Sequence, residues 1–387
     1  MIAPFGDGRS PRDVVDFLIS ATFSTSFLMQ IAELGEFALI DRLNEGVSPV
    51  NAATLTAAGD DCAVMAYPAT RVLATTDLML EGIDFDLVYT PLRHLGYKAA
   101  MAGMSNIYAM NGVPRQLLVG LGVSNRFEVE DLDELYAGLR MACERHNVDL
   151  VGGDTSASLT GLTLALTTIG DVAEADLVGR DGAHDTDLVC VSGNLGAAYM
   201  GLQLMEREKA VYLSQIDAAK TEAARRAIDF QPDFAGREYL LERLLKPEAR
   251  RDIVEALRAA GLRPTAMIDV SDGLASELLH ICRRSGVGCR IFEERIPIDY
   301  QTAVAAEGFN MNLTTCALNG GADYELLFTV PLTDHDRVAA MDDVRIIGHI
   351  TRAELGAQLV TRDGNEFALQ AQGWTPQQAA AQSRDLG

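Results

Sequence analysis

Carboxylates set among glycine, serine and threonine recur along this chain where strands should end. They are Gly59-Asp60-Asp61, Thr75-Thr76-Asp77, Gly152-Gly153-Asp154-Thr155 and Asp269-Val270-Ser271-Asp272-Gly273. Glycine lets a backbone turn tightly and approach a ligand. Short acids on such turns suit a hard cation, and magnesium often bridges one or two carboxylates to substrate phosphates. Four such loops could gather several metals around a triphosphate, neutralise a transferring phosphoryl group and hold it in line. Each loop taken singly also reads as ordinary turn chemistry. Asp272-Gly273 stands directly before a helix and reads equally as its N-cap. Ser192-Gly193-Asn194-Leu195-Gly196, between a strand and a helix, reads as a plain turn as readily as a phosphate cradle. The set of four in one chain is the specific signal.

Other chemistries leave no trace. There is no G-x-x-x-x-G-K-[ST] loop, no G-x-G-x-x-G and no G-x-S-x-G elbow. The six histidines show no H-E-x-x-H spacing, and the six cysteines no C-x-x-C. His280 on its helix reads as packed or solvated, and Met101, Met104 and Met110 as core. Acids number 55 against 32 Lys and Arg, a net charge of −23. This excludes a broad basic nucleic-acid face but not a nucleotide held through metals. Sparse cysteines fit reduced thiols and a cytoplasmic home. The early apolar stretch from Phe17 to Ala32 is too short and polar to span a bilayer and lacks a signal-peptide pattern, so no membrane partner is expected.

The elements that must carry these loops can be read in outline. Ser10-Pro11 starts a helical N-terminal extension. Strands are expected at Thr70–Asp77, Leu117–Val123, Asp149–Val151 and Leu162–Ile169. The spacing predicts helices over His94–Asn111 and Glu128–His146; in the second, Leu132, Leu135, Tyr136, Leu139 and Cys143 share a face. An Asp-, Gly- and Ala-rich run, Ala173–Asp187, marks a boundary. Beyond it, strands are expected at Leu188–Val191, Ala266–Val270, Cys289–Phe292, Tyr324–Val330 and Val344–Ile350. Residues 205–260 read as mostly helical, and a helix is expected over Leu274–Arg284. Two successive units of mixed helix and strand result: an extension over 1–34, a metal-, ATP- and dimer-forming domain over 35–175, and a C-terminal domain with its tail over 176–387.

Further stretches make the pattern specific: Gly35-Glu36-Phe37 with Leu39-Ile40, Glu81-Gly82, Gly96-Tyr97-Lys98-Ala99-Ala100, Ala109-Met110-Asn111-Gly112 and Gly320-Gly321-Ala322-Asp323-Tyr324-Glu325-Leu326. With the acidic loops, they give a chain that resembles the thiamine-monophosphate kinase family, within the superfamily of aminoimidazole ribonucleotide synthetase and selenophosphate synthetase. The resemblance runs from about Gly35 to Trp374. It implies an α+β, two-domain aminoimidazole ribonucleotide synthetase-like fold. The N-terminal sheets would pair across a homodimer into a barrel-like core, and the C-terminal domain would be an α/β sandwich. It implies transfer of the ATP γ-phosphoryl group to thiamine monophosphate, with ATP and several Mg2+ ions in a cleft between domains. By the same resemblance Asp60, Asp61, Thr75, Thr76, Asp77, Asn106, Asp154, Asp269 and Asp272 stand at metal positions. Gly153, Asp154, Arg180 and Ser271 stand at ATP positions, and Asp84, Ala322 and Trp374 at substrate positions. Trp374, the only tryptophan, reads either as an aromatic against the thiamine moiety or as packing of the tail.

Three positions depart from the family pattern. Asn106 stands where the family has an aspartate shared between metals, and its amide lacks the charge that holds a bridging cation. Asp84 stands where a histidine is usual, and Ala322 replaces a substrate-side glutamate. The expected activity is the kinase. The alternative is a divergent paralogue that binds ATP but uses another acceptor, or is non-catalytic.

Overall fold

The structure, a computed structural model, describes residues 42–43, 45–46, 48–56, 64–221, 225, 228 and 230–371. The N-terminal extension, Gly35–Ile40, Asp60, Asp61 and Trp374 lie outside the described residues. Contacts divide the chain into two units. One comprises residues 1–177 and 201–251, the other residues 178–200 and 252–387. The segment 201–251, expected with the C-terminal domain, packs on the first unit: Ala249 N–H meets Met101 Sδ at 3.4 Å, and Tyr97 Oη donates to Glu248 Oε1 at 2.8 Å.

The first unit opens with an antiparallel pair, β1 (Thr54–Thr56) and β2 (Val64–Met65). Its main sheet has the order β3-β6-β4-β5, with β3 (Arg71–Leu80), β4 (Val113–Val123), β5 (Asp149–Ala157) and β6 (Thr163–Val172). β6 is antiparallel to both neighbours, and β4 runs parallel to β5. Alternation decides the faces. Leu73 and Met79 of β3, Leu164, Leu166 and Thr168 of β6, and Leu117, Val119 and Leu121 of β4 are buried. Val72, Leu78 and Leu80 of β3 are exposed on the other face.

The buried face carries α1 (Leu92–Tyr108), with α2 (Val129–His146) against it. α1 is buried on nearly every side, Met101 and Met104 completely, which is why its sequence is rich in Ala, Gly and Met rather than amphipathic. Met110, expected in the core with them, lies just past the helix and is 36% exposed. α2 starts on a reciprocal cap in which Asp131 accepts Glu128 N–H at 2.9 Å, and it ends at Asn147 in the left-handed conformation. Gly138 lets the two helices touch backbone to backbone: a Cβ there would lie 1.9 Å from Arg93 O. α3 (Ala197–Ala218) begins in the second unit and continues in the first, where α4 (Glu238–Leu245) also lies.

The second unit is built on seven strands in the order β13-β12-β9-β11-β7-β10-β8. They are β7 (Leu188–Ser192), β8 (Ala266–Asp269), β9 (Val287–Phe292), β10 (Leu326–Val330), β11 (Val344–Arg352), β12 (Ala357–Val360) and β13 (Glu366–Ala368). All neighbours are antiparallel except β12 with β9. The helices are α5 (Arg251–Ala259), α6 (Leu274–Ser285), α7 (Tyr300–Gly308), α8 (Leu313–Asn319) and α9 (His335–Ala339). Val189, Val191, Ile268, Leu327 and Ile347 form one core with Leu274, Leu278 and Ile281 of α6. Cys190, Met267 and Phe328, of opposite parity, are buried as well. Strands covered on both faces read as unbroken apolar runs, as β7 and β10 do.

β10 begins two residues later than expected. Ala322 and Tyr324 have φ of +56° and +53°, so the Gly320–Glu325 stretch is a tight loop that delivers the chain to the strand. The five described cysteines, at 143, 190, 282, 289 and 316, are free and buried. Among the described residues, no helix is long and apolar enough to cross a membrane.

Candidate functional site

In the first unit the centre is Asp77. On β3 its side chain shares a face with Leu73, Thr75 and Met79, toward α1. Thr76, expected beside it as a ligand, projects to the opposite face, because successive strand residues alternate. Asp77 is half-buried, and Asn106 of α1 donates its Nδ2 to Asp77 Oδ1 at 3.0 Å and to Ala102 O at 3.3 Å. Burial raises the Asp77 pKa above the ordinary carboxylate value, and the Asn106 hydrogen bond opposes the rise.

Asp77 Oδ2 and the hydroxyl of Thr168 are both buried without a hydrogen-bond partner. Thr168 is opposite Thr75 in the β3–β6 register. Gly103 of α1 closes over both: a Cβ there would meet Thr168 Oγ1 at 2.2 Å and Asp77 Oδ2 at 3.5 Å. Two orphaned oxygens, one of them anionic, together with the free amide oxygen of a neighbouring asparagine, are the donor set a hard cation takes. Among the described residues no group of three His, Cys, Asp or Glu side chains could hold an ion. The set at Asp77 therefore needs hydroxyl, amide or substrate oxygens to complete it.

Gly153 and Asp154 lie on β5, at the other edge of the same sheet. Asp77, Leu166, Val119 and Gly153 form one row across β3, β6, β4 and β5. Three strand spacings put Asp77 and Gly153 about 14 Å apart. Within one chain, Asp154 therefore does not share an ion with Asp77. Asp154 is exposed and accepts Thr155 N–H at 3.0 Å, while a Cβ on Gly153 would stand 1.8 Å from Val119 O, so glycine is required there by the sheet itself. Asp84, in the turn after β3, is exposed and accepts Leu80 N–H at 2.7 Å.

In the second unit, Asp269 ends β8 and is buried, while Ser271 and Asp272 are exposed on the turn before α6. The loop Gly320–Glu325 is laced to that turn. Ala322 N–H donates to Ser271 O at 2.7 Å, Tyr324 N–H to Val270 O at 2.9 Å, and Val270 N–H to Glu325 O at 2.7 Å. Arg180 is exposed, and its charge reaches the same cluster.

Glu277, which the sequence reading passed over, is buried on α6 and accepts Asp272 N–H at 2.9 Å. Its pKa is pushed up to about 7. Burial is the main cause, with the charges of Asp272 and Asp269 adding to it and the Asp272 N–H and Arg180 opposing. Its signal was an acid on the apolar face of a helix. Thr168 was missed as well; its signal was a hydroxyl at the inward parity of an otherwise apolar strand.

The Ser192–Gly196 loop resolves as a structural turn. Gly193 N–H goes to Asp343 O at 2.9 Å, Leu195 N–H to Pro297 O at 3.0 Å and Gly196 N–H to Asp323 Oδ2 at 2.8 Å. Ser192 Oγ donates to buried Glu325 at 2.5 Å. Amides committed in this way are not available to cradle a phosphate.

Residues 59–172, which hold the first acidic loops, match the family described as AIR synthase related protein, N-terminal domain. A thiamine-monophosphate kinase of Aquifex aeolicus (strain VF5) is 32% identical over 326 residues, covering 84% of this chain and 94% of that protein. The crystal structure of thiamine-monophosphate kinase from Stenotrophomonas maltophilia K279a superposes with a TM-score of 0.68 at 28% identity, over 86% of this chain and 97% of that one. The structure of AaThiL complexed with AMPPCP and TMP has a TM-score of 0.63 at 31% identity, over 88% and 97%. The fold is thus the α+β, two-domain fold of the AIR synthase-related proteins. Within that class, the chain belongs to the thiamine-monophosphate kinase family.

Proposed function

We propose that this chain transfers the γ-phosphoryl group of ATP to the phosphate of thiamine monophosphate, giving thiamine diphosphate and ADP. An oxygen of the acceptor phosphate attacks the γ-phosphorus; that P–O bond forms as the bond to the β-phosphate oxygen breaks and ADP leaves. The observation that carries the reading is the open Asp77–Thr168 pair in a chain that follows relatives of this name over most of its length. No general base is needed, since the acceptor phosphate is already ionised at neutral pH. Positioning and charge neutralisation suffice.

Several Mg2+ ions are expected: Asp77, Thr75 and Asn106 would hold Mg2+ in the first unit, and Asp269 and Asp272 would hold Mg2+ in the second. When bound, each cation would neutralise phosphate charge and fix phosphate orientation. Asp60 and Asp61 join this set by resemblance, as does Thr76, whose side chain lies on the opposite face of β3 from Asp77. Gly153, Asp154, Arg180 and Ser271 are assigned to ATP; the exposed guanidinium of Arg180 suits a phosphate. Asp84, Ala322 and Trp374 are assigned to the acceptor.

The working form is a cytoplasmic homodimer. Asp77 and Asp154 occupy opposite edges of one sheet whose outer face exposes Val72, Leu78 and Leu80. A second copy laid on that face would cover the apolar side chains and the open edges together. The second reading, ATP use on another acceptor, is favoured by one observation: Ala322 brings no charge to the loop against Ser271. Incubation with Mg-ATP and thiamine monophosphate, with products separated by chromatography, tests the proposal. Equal amounts of thiamine diphosphate and ADP are expected. ADP formed only with other acceptors would favour the second reading, and no product from folded, ATP-binding protein would overturn the first.

A further inference from the structure

Glu277 is a buried acid to which the reaction as drawn gives no part. It lies in the first turn of α6 and is 2% exposed. The start of the helix shows why an acid stands there. Gly273 is the N-cap, with φ of +105°. A Cβ on it would lie 2.6 Å from Leu318 O and 2.8 Å from Asn319 Cα, so no larger residue fits. A glycine cap brings no side-chain oxygen to the free amides of a first turn. Glu277 supplies one from inside the helix: its Oε1 accepts Asp272 N–H at 2.9 Å, while its own N–H donates to Gly273 O at 3.3 Å. The pattern is a capping box shifted by one residue, at a helix end that favours negative charge.

The turn before α6 is thus gripped from two sides. Ala322 N–H holds Ser271 O and Tyr324 N–H holds Val270 O, through backbone alone. Glu277 holds Asp272, and does so with a side chain. The backbone of Asp272 is fixed while its carboxylate stays exposed, and among the described residues that carboxylate accepts no hydrogen bond. An acid held by its backbone and left open at its oxygens is arranged to meet a cation.

We propose that Glu277 is the positioning residue for Asp272: by holding Asp272 N–H, it aims the exposed carboxylate at a divalent cation. The inference rests on the kinase reading, which gives Asp272 to Mg2+, and adds the residue behind that ligand. Groups that orient a metal ligand contribute to metal affinity without touching the ion. The part that acts is the acceptor oxygen rather than the charge. Glutamine keeps that oxygen at the same reach; methionine keeps the length of the stem and loses the oxygen.

The test uses the full chain with Mn2+ as the probe ion and a non-hydrolysable ATP analogue present. Bound Mn2+ is measured by loss of the free-ion electron paramagnetic resonance signal. Glu277→Met should weaken Mn2+ binding about tenfold or more, and Glu277→Gln should stay within about threefold of wild type. In turnover, Glu277→Met should raise the Mg2+ concentration needed for half-maximal rate while the KM for thiamine monophosphate moves less than about twofold. Asp272→Asn is the reference. The double variant Glu277→Met with Asp272→Asn should bind Mn2+ as Asp272→Asn does, because a residue that acts only through Asp272 has nothing left to act on. Unchanged Mn2+ affinity in Glu277→Met would overturn the inference, as would losses that add in the double variant, or a loss in Glu277→Gln as large as in Glu277→Met. If Glu277→Met does not fold, Glu277→Ala gives the same comparison. Failure is separable from that of the parent reading. Full Mn2+ affinity in Asp272→Asn sinks the metal assignment and Glu277 with it. Weakened binding in Asp272→Asn with none in Glu277→Met sinks Glu277 alone. A wild type that makes no thiamine diphosphate, with the metal coupling intact, sinks the acceptor and leaves Glu277 standing.

Discussion

The side-chain amide of Asn106 donates to Asp77 at 3.0 Å, joining α1 to β3 by a neutral donor at a position where the resemblance leads one to expect a second carboxylate. Two carboxylates at that separation repel and call for a cation between them. An amide satisfies one Asp77 oxygen directly and leaves the other for an ion. On the proposed reading the amide stands in for part of a metal site, and folding without metal should be easier with it than with an acid there.

Restoring the acid should reverse this. Asn106→Asp is expected to lower stability in chelator by about 1–2 kcal/mol, since the new carboxylate raises an already elevated Asp77 pKa. Magnesium should then raise the melting temperature of the variant more than that of the wild type. Thermal melts across a magnesium series check both, and equal magnesium responses would show that Asp77 and Asn106 do not face a cation.

Gly103 should not tolerate a side chain. The alanine methyl would press on Thr168 Oγ1 at 2.2 Å, and Thr168 is wholly buried with no route away. Gly103→Ala should cost about 1–3 kcal/mol in urea unfolding and depress turnover with it. Paired with Thr168→Ser, which leaves the hydroxyl in place, the loss should persist. Paired with Thr168→Ala, part of the stability should return.

His94 provides an acid-sensitive element. Burial, with Lys246 and Arg93 adding to it, lowers its pKa from an ordinary 6.5 to about 4. As pH falls between those values, the unfolded chain gains a proton at this position that the folded chain refuses. The contribution is therefore complete above about 6.5 and is lost progressively toward 4, with a ceiling of about 3 kcal/mol. His94→Gln should flatten that part of the stability profile relative to wild type; parallel profiles would contradict it.

Asp323 should act through the loop it holds. Its Oδ2 takes the buried Gly196 N–H at 2.8 Å. Asp323→Ala leaves that donor without its acceptor and should cost about 1–3 kcal/mol by chemical denaturation. Wild-type stability in the variant would mean that the loop is held elsewhere.

Much of this was legible in the residues. The strands β3, β4, β6, β7, β8 and β11 and the helices α1, α2 and α6 lie close to their expected spans, because period and end signals agree there: Asn147 and Gly286 stop helices in the left-handed conformation. β12 and β13, short and partly exposed, carry no comparable apolar pattern. The packing of residues 201–251 on the first unit depends on contacts far apart in sequence, which no local pattern encodes. Asp77 and Asp269 on strands, Asn106 on a helix and Asp272 on a turn were visible as candidate chemistry. Alternation along the expected strand Thr70–Asp77 already turns Thr76 away from Asp77, whereas the sheet order that sets Asp154 a sheet's width from it depends on pairings far apart in sequence. Glu277 and Thr168 were hidden by their apolar surroundings, which are also what makes them consequential.

The fate of one phosphoryl group decides the proposed function. ATP labelled in its γ-phosphoryl group should be incubated with magnesium, thiamine monophosphate and the full chain, and the label followed through separated products. Label is expected in the terminal phosphate of thiamine diphosphate, in step with unlabelled ADP. Label released as inorganic phosphate, or carried to another acceptor with no labelled thiamine diphosphate, would contradict it.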